Sequence, residues 1–477
     1  MTDSSSRKHI AASVAFSLAG CVLWMATHGF RENHGGAMMD DSMGITSRRF
    51  LASILDEDEA IPELFPLQLP DYIGFFCAIT GLILAAGAGI GGGGILVPIF
   101  ILIFEFPVKH AIPLASVTVL GGAFANNLLN FRKAHPDHPS RPAIDWDLII
   151  QLEPMTIAGA LIGADLNDLL PDTVLVVLLF VLLSATAYKT LQKAHKLHEK
   201  ETEEMEKAQK EAVRLLASGN APGDVEAQDK SVVRSTYGSV ASRRPQAKVK
   251  ALTHEPSFGA DQVHQAWIAA GQLSALFVIV TILNLLKGGP GESGGGPMGL
   301  QSCGATCFWV TEAGIFFLII GFAIFVRHGV LRRMESGGPV LSEIDWDEEN
   351  TIRYPLYAIV AGLVAGMFGV GGGIIKGPLM LALGVHPAVA SATSACMILF
   401  TSSTSTISYM IFGLLLKDYA AGCLITGFLA TLLGQTLMSM LMRKYNRDSY
   451  IAYTIGIVVG LSAIAMTLES VLAIIGP

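Results

Sequence analysis

Two glycine-rich stretches interrupt otherwise apolar segments of the chain. The first, GAGIGGGGILVPIF, begins at Gly87, and the second, GMFGVGGGIIKGPLM, begins at Gly366. Glycine disfavours a continuous helix, so each stretch predicts a helix that stops and then restarts. A helix that restarts inside a membrane directs its unpaired N–H groups and the positive end of its dipole at the break, which favours binding of an anion. The candidate anion-binding backbone groups are those of Gly89, Gly91, Gly92, Gly93, Gly94, Gly369, Gly371, Gly372 and Gly373.

Polar side chains near these stretches could complete such a site. Lys376 follows the second stretch, and a cation within a membrane segment could pair with the anion or extend along the helix to the membrane surface. Further candidate donors are Thr393, Ser394, Ser402 and Asn126. For any one of these four, a hydrogen bond between helices is the simpler interpretation.

Glu153 lies in the sequence IIQLEPMTIAG, near the start of an apolar segment. A buried carboxyl group there could carry a proton coupled to transport. Alternatively, a carboxylate in the first turn of a helix is favoured by the helix dipole and would lie at the membrane surface. The sequence alone favours the surface position.

The composition identifies the class of protein that holds these residues. The 477 residues are 51% hydrophobic and 15% charged, with a mean hydropathy of +0.51, whereas soluble domains are about 25% charged. Several apolar blocks reach the roughly 20 residues that span a bilayer as a helix. The sequence therefore predicts an all-α polytopic membrane protein. A net charge of −8 without a concentrated basic face argues against nucleic acid as a partner, and no CxxC pair or His/Cys cluster suggests a metal or cofactor.

The two glycine stretches belong to an internal duplication with an offset of 280 residues, because Pro98 superposes on Pro378 (378 − 98 = 280). With the same offset, Gly91, Gly92 and Gly93 fall on Gly371, Gly372 and Gly373. The two prolines suit the first turn of half-helices that start near Ile95 and Ile374. Broken helices at matching places in two halves are typical of secondary transporters.

The positively charged loops predict how the halves are oriented. Loops 131–147, 189–263, 329–353 and 441–448 all carry lysine or arginine, which favours the cytoplasmic side. All four fall on that side only if segments 72–104 and 354–385 each enter and leave the membrane by the same face. The two repeats then have opposite orientations, with re-entrant or discontinuous helices at the glycines.

The remaining organisation follows from the polar segments. Residues 1–30 predict a signal peptide or signal anchor, and 31–70 an extracytoplasmic polar segment. The other predicted units are the first transmembrane repeat (71–188), a cytoplasmic charged insert and linker (189–263), two connecting transmembrane helices (264–328), a cytoplasmic loop (329–353) and the second transmembrane repeat (354–477). Cys303 and Cys307 fall in an external loop, where they could form a disulfide or remain free thiols.

The stretches GAGIGGGGILVPIF, LEPMTIAGALIGADLNDLLPD and GMFGVGGGIIKGPLMLALGVHPAVASATSACMILFTSSTSTISY resemble the TauE/SafE family of sulfite and organosulfonate exporters, in the arrangement of its eukaryotic members. The resemblance covers most of 70–190 and 350–475 and implies export of sulfite or small sulfonates by secondary transport. One departure is that the family's "GTS" stretch appears as Ala392-Thr393-Ser394 in the second half but as Ile112-Pro113-Leu114 in the first.

The sequence thus favours a secondary exporter of sulfite or a related small anion, without a cofactor. The expected partners are the anion, the lipid bilayer and a coupling proton. Two alternatives stay open: an anion channel or uniporter of other specificity, and a membrane sensor or scaffold that works through the cytoplasmic insert. No nucleophile–base constellation indicates an enzyme. The oligomeric state and the choice between plasma membrane and endomembrane are left open.

Overall fold

The structure is a computed structural model that describes residues 69–88, 92–104, 106–131, 133–135, 141–217, 260–287, 304–335, 344 and 346–445, together with positions 453, 460, 463 and 464. Within these residues the secondary structure is helical, apart from one isolated bridge between Ala134 and Pro142. The helices are α1 (Leu69–Ala88), α2 (Gly93–Leu102), α3 (Val108–Asn130), α4 (Trp146–Leu169), α5 (Asp172–Ala217), α6 (Ala260–Lys287), α7 (Gly304–Glu335), α8 (Asn350–Phe368), α9 (Gly373–Ala382), α10 (Pro387–Ile411) and α11 (Lys417–Tyr445).

The prediction of an all-α polytopic membrane protein is confirmed. Among the described residues, seven helices are long and apolar enough to cross a bilayer, namely α3, α4, α5, α6, α7, α8 and α11. Large apolar side chains on the outward faces of α6 and α7, such as Trp267 and Phe317, are exposed in the isolated chain, as lipid-facing side chains would be. Helix α5 continues to Ala217, into the charged insert that begins at residue 189.

A short helix follows each glycine stretch. Helix α8 ends at Phe368 and α9 begins at Gly373, while α1 ends at Ala88 and α2 begins at Gly93. Adding 280 to the bounds of α2 gives the bounds of α9. Both short helices begin two residues or less before the expected start, so their prolines are the sixth residue and lie in the second turn instead of the first. The opposite orientation of the two halves in a membrane stays a prediction.

The two halves are interlaced through glycine contacts. Helix α4 of the first half packs mainly against α8 of the second half, and α11 of the second half packs against α3 and α1 of the first. A Cβ atom at Gly159 or Gly163 of α4 would overlap the backbone of α8, and one at Gly362 or Gly366 of α8 would overlap the backbone of α4. Small residues in this spacing let two helices approach closely inside a membrane. This contact fixes α4, and with it Glu153, alongside α8.

Candidate functional site

Gly93, the first residue of α2, lies against the second glycine break. The ideal Cβ position at Gly93 is 2.9 Å from the carbonyl carbon of Val370 and 3.0 Å from the oxygen of Gly369, so no side chain fits between the breaks. Gly92 has φ 76°, and Gly369, Gly371 and Gly372 have φ between 64° and 72°. Only glycine adopts this left-handed conformation without strain, so the chain can turn sharply between the two helical pieces.

Side chains of neighbouring helices satisfy the carbonyl groups that the second break leaves free. The last carbonyls of a helix have no partner within it, and a bilayer supplies none. Tyr409 of α10 donates its hydroxyl hydrogen bond to the oxygen of Gly366, and Asn167 of α4 donates from Nδ2 to the oxygen of Met367 over 2.9 Å. Both donors are buried. These carbonyl groups at the second break therefore have hydrogen-bond donors inside the protein.

The helices that restart after the breaks present N–H groups without intrahelical acceptors. The amides of Ile95 and Leu96 donate to the oxygen of Gly92, and those of Ile375 and Lys376 donate to the oxygen of Gly372. The N–H groups just before them, at the first two positions of α2 and α9, have no such partner within their helices. Gly92, Gly93, Gly94, Gly369, Gly371, Gly372 and Gly373 line the breaks, whereas Gly89 and Gly91 lie outside the described residues.

Lys376, Glu153 and Thr401 form a closed hydrogen-bonded triangle. The Nζ atom of Lys376 lies 3.1 Å from Oε2 of Glu153 and 2.6 Å from Oγ1 of Thr401, and that hydroxyl lies 2.6 Å from Oε1 of Glu153. The two charged side chains are 2% and 0% exposed. Such a pair is costly to form away from water and is destabilising to break, so an ionisable pair at this depth suggests a function.

The triangle lies beside the second glycine break. The Lys376 side chain folds back so far that its Cε atom is 3.1 Å from the ideal Cβ position of Gly372. An ammonium group has three N–H bonds, and the described residues accept two of them, at Glu153 and Thr401. One N–H of the buried cation is thus available to a further acceptor next to the break.

The other polar candidates make contacts of different kinds. Ser402 donates to the oxygen of Ile398 within its own helix over 2.6 Å. Thr393 accepts from the backbone N–H of Asp145 over 3.0 Å, which connects α10 to the start of α4 and not to the break. Ser394 Oγ and Asn126 Oδ1 are buried without a hydrogen-bond partner among the described residues. These two side chains retain unused hydrogen-bonding capacity, whereas Thr393 and Ser402 are engaged with backbone.

The structure excludes a surface position for Glu153 and for Lys376. Glu153 is the eighth residue of α4 and is fully buried, so the alternative of a surface carboxylate in the first turn does not hold. Lys376 is also buried, so it does not extend to the membrane surface. Cys303 and the side chain of Cys307, for which the sequence predicts a disulfide or free thiols, lie outside the described residues.

Sequence reasoning did not assign the roles of three residues at the site. Thr401 is the first of a run of Thr and Ser residues in α10 (401–406), which we call the hydroxyl run. Its contact with both charges depends on a fold that brings together residues 25 and 248 positions apart. Tyr409 and Asn167 show no signal beyond being polar within apolar segments. Among the described residues, no group of three or more His, Cys, Asp or Glu side chains is placed to hold a metal ion.

Comparison with known proteins gives a consistent set of matches. The family model described as "Sulfite exporter TauE/SafE" matches residues 73–223 and 304–473. "Sulfite exporter TauE/SafE family protein 3" of Arabidopsis thaliana is 30% identical over 415 residues, which cover 86% of this chain and 80% of that protein. "Sulfite exporter TauE/SafE family protein 1" of the same plant is 27% identical over 405 residues and 84% of each chain. "Probable membrane transporter protein YunE" of Bacillus subtilis is 32% identical over 108 residues, covering 21% of this chain and 40% of that protein. No solved structure matches.

Proposed function

Because the chain belongs to the TauE/SafE family of membrane transporters, we propose that it exports sulfite or a related small sulfonate by secondary transport, at a site formed by the glycine breaks and Lys376. The observation that carries the proposal is the buried Lys376 ammonium beside Gly372, with one N–H that the described residues leave available.

The chemistry of the break suits a compact oxyanion. Sulfite and sulfonates present three oxygens around one sulfur, which can accept several N–H bonds at once. The first-turn amides of α2 and α9 supply such donors together with two favourable helix dipoles. Lys376 adds a full positive charge where little water competes, so its attraction for an anion is stronger than at a surface. The names of the Arabidopsis relatives, which call them sulfite exporters, favour this substrate class.

Glu153 gives the site a means of coupling to protons. In the resting arrangement its carboxylate neutralises Lys376 at 3.1 Å. An anion that binds Lys376 brings a second negative charge close to Glu153, and a buried site of this kind favours proton uptake by the carboxyl group. The anion and one proton then bind together, and both are released together. Export proceeds when the combined gradient of anion and proton points out of the cell.

Flux in sealed vesicles that contain the purified full-length protein tests the proposal. A small sulfonate such as methanesulfonate is the probe of choice alongside sulfite, because a sulfonate stays ionised throughout the working pH range. Wild type is expected to move the sulfonate from the acidic to the alkaline compartment. Lys376→Met should abolish this flux, and Glu153→Gln, which mimics the protonated carboxyl group, should keep flux but lose its dependence on the pH gradient.

A matched glycine pair tests the location of the site. Gly372 has φ +72°, immediately precedes α9 and borders Lys376. Gly377 lies within α9 and has open space around it. Gly372→Ala is expected to reduce flux strongly, and Gly377→Ala to leave it close to wild type. Equal effects of the two substitutions would argue against a site at the break.

The outcomes also separate the alternatives. Flux that depends on Lys376 but ignores the pH gradient in wild type would indicate a uniporter or channel. Flux of another small anion, with none for sulfite or sulfonate, would retain the site and reject the substrate. No anion flux in any condition would reject transport and direct attention to the charged insert as the working part of a sensor.

A further inference from the structure

A second buried ionic cluster lies at the other end of α4. Lys287, the last residue of α6, is within ion-pair distance of Glu312 of α7 and lies 3.8 Å from Oδ1 of Asp165 on α4. The three side chains are 1%, 3% and 11% exposed. Asp165 is twelve residues beyond Glu153, or about 18 Å along the helix. The cluster is therefore separate from the triangle at the glycine break.

The cluster contains more negative than positive groups. Two carboxyl groups share a single ammonium, whose other close contacts are the aromatic rings of Phe308 at 4.3 Å and Phe412 at 5.9 Å. These rings shield the cation and help to hold it in place. If both carboxyl groups were ionised, a net negative charge would remain in a nearly water-free position, which is strongly disfavoured.

One carboxyl oxygen of the cluster has unused hydrogen-bonding capacity. Oε1 of Glu312 is buried and has no hydrogen-bond partner among the described residues, while Oε2 of the same carboxyl group accepts from Lys287. Both carboxyl groups contact the same ammonium, Asp165 from 3.8 Å, so the two acids are close neighbours in this nearly water-free position. Two buried carboxyl groups that share one cation favour a state in which one of them is protonated.

We propose that Asp165, Glu312 and Lys287 form a proton-binding site that holds one proton between the two carboxyl groups. With the proton bound, the cluster is neutral, and α6 and α7 are held against α4. When the proton leaves, the cluster carries one net negative charge, which favours entry of water and weakens this contact. The cluster thus makes the packing of the two connecting helices on α4 dependent on pH.

Other titratable groups around the cluster are few. Asp168 lies one turn further along α4 and interacts electrostatically with Asp165. Lys109 of α3 in turn interacts electrostatically with Asp168. Helix α10 carries no charged residue, and the hydroxyl group of its Tyr409 donates a hydrogen bond to α8. The charged residue of α8 is Arg353, which lies near the opposite end of that helix. Within the described residues, no further cation is available to neutralise the second carboxylate.

Infrared spectroscopy of the full-length protein tests the proposal without any transport assay. The carbonyl stretching band of a protonated carboxylic acid is distinct from the bands of carboxylates, and its intensity is followed against pH. Wild type should retain one protonated carboxyl group at neutral pH. Asp165→Asn and Glu312→Gln should each remove the intensity of one group, because the remaining carboxylate is then neutralised by Lys287. Asp168→Asn and Glu153→Gln are the controls and should leave this band unchanged.

The result that would overturn the proposal is a band of equal intensity in wild type, Asp165→Asn and Glu312→Gln. The two variants change different helices and replace each acid by an amide of the same shape, so failure of one to fold leaves the other as a test. Because Glu153→Gln reports on the glycine break alone, a failure here is distinguishable from a failure of the proposed anion site.

Discussion

Lys376 and Glu153 should show one of the largest pairwise energies in the protein. Lys376→Met leaves a buried carboxylate whose described partner is only Thr401, and Glu153→Gln leaves a buried ammonium beside neutral groups. Removing one member of a buried ion pair typically costs about 3–5 kcal/mol, whereas replacing both is often nearly neutral. With both side chains at most 2% exposed and 3.1 Å apart, we expect a coupling energy of about 3 kcal/mol, at the upper end for residues in contact.

A double-mutant cycle measures this energy. The free energy of unfolding is determined by reversible denaturation in mixed micelles, at the same pH for all four proteins of the cycle. The matched control is the pair Arg353 and Glu349, whose closest nitrogen and oxygen atoms are 3.3 Å apart but which lies exposed at the start of α8. Its replacement by Met and Gln should give no measurable coupling.

The cycle also separates stability from transport. The double variant Lys376→Met/Glu153→Gln is expected to unfold at nearly the same denaturant concentration as wild type, yet to lose flux because it lacks the cation. If the coupling energy of the buried pair were no larger than that of the exposed control pair, the pairing of Lys376 with Glu153 would be refuted, and the proposed coupling mechanism with it.

Three further predictions concern the support of the site. Gly372→Ala should lower the free energy of unfolding by roughly 1–3 kcal/mol through backbone strain, whereas Gly377→Ala should be neutral or stabilising by up to about 1 kcal/mol, as denaturation would show. Tyr409→Phe should cost about 1–3 kcal/mol, because it leaves the carbonyl group at the end of α8 buried without a donor; an unchanged unfolding midpoint would contradict this. Asp145→Ala should cost about 1 kcal/mol through loss of the cap of α4, whereas Glu349→Ala, which removes a side chain that makes no capping hydrogen bond to α8, should have no capping effect in the same measurement.

The local features of the site could be predicted from the sequence, but the contacts between its distant residues could not. Glycine has a distinct conformational range, so the stretches that end at Gly94 and Gly373 could be recognised as breaks without any knowledge of the fold. Lys376 could be singled out because a lysine inside an apolar segment is rare. Its partner Glu153 is 223 positions away, and a single sequence carries no signal for such a contact.

The misjudged position of Glu153 has a physical reason. A carboxylate followed by Pro154 near the start of an apolar block is typical of a first helical turn. In the structure, α4 begins earlier, at Trp146, where Asp145 caps it through the N–H of Leu148. The helix start therefore lies in the polar IDWD sequence, and Glu153 is carried two turns into the bundle.

The cluster around Lys287 was missed for a similar reason. Lys287 ends one apolar segment and Glu312 lies near the start of the next, and charged residues at segment ends ordinarily mark the membrane surface. Only the packing of α6 and α7 on α4 shows that both are buried and face Asp165. The hydroxyl run of α10 was ambiguous in another way, since Ser402 bonds to backbone within its own helix and Thr401 bonds to both charges.

The interlacing of the halves has a consequence for how the protein is made. Glu153 enters the membrane with α4, but Lys376 is synthesised 223 residues later, which takes roughly 11–45 s at ordinary elongation rates. During that interval the carboxyl group has neither its cation nor the close contact of α8. The first half is therefore synthesised without the cation that neutralises Glu153, and the ion pair forms only after α9 has been made. The rate and order of synthesis therefore determine when this ion pair can form.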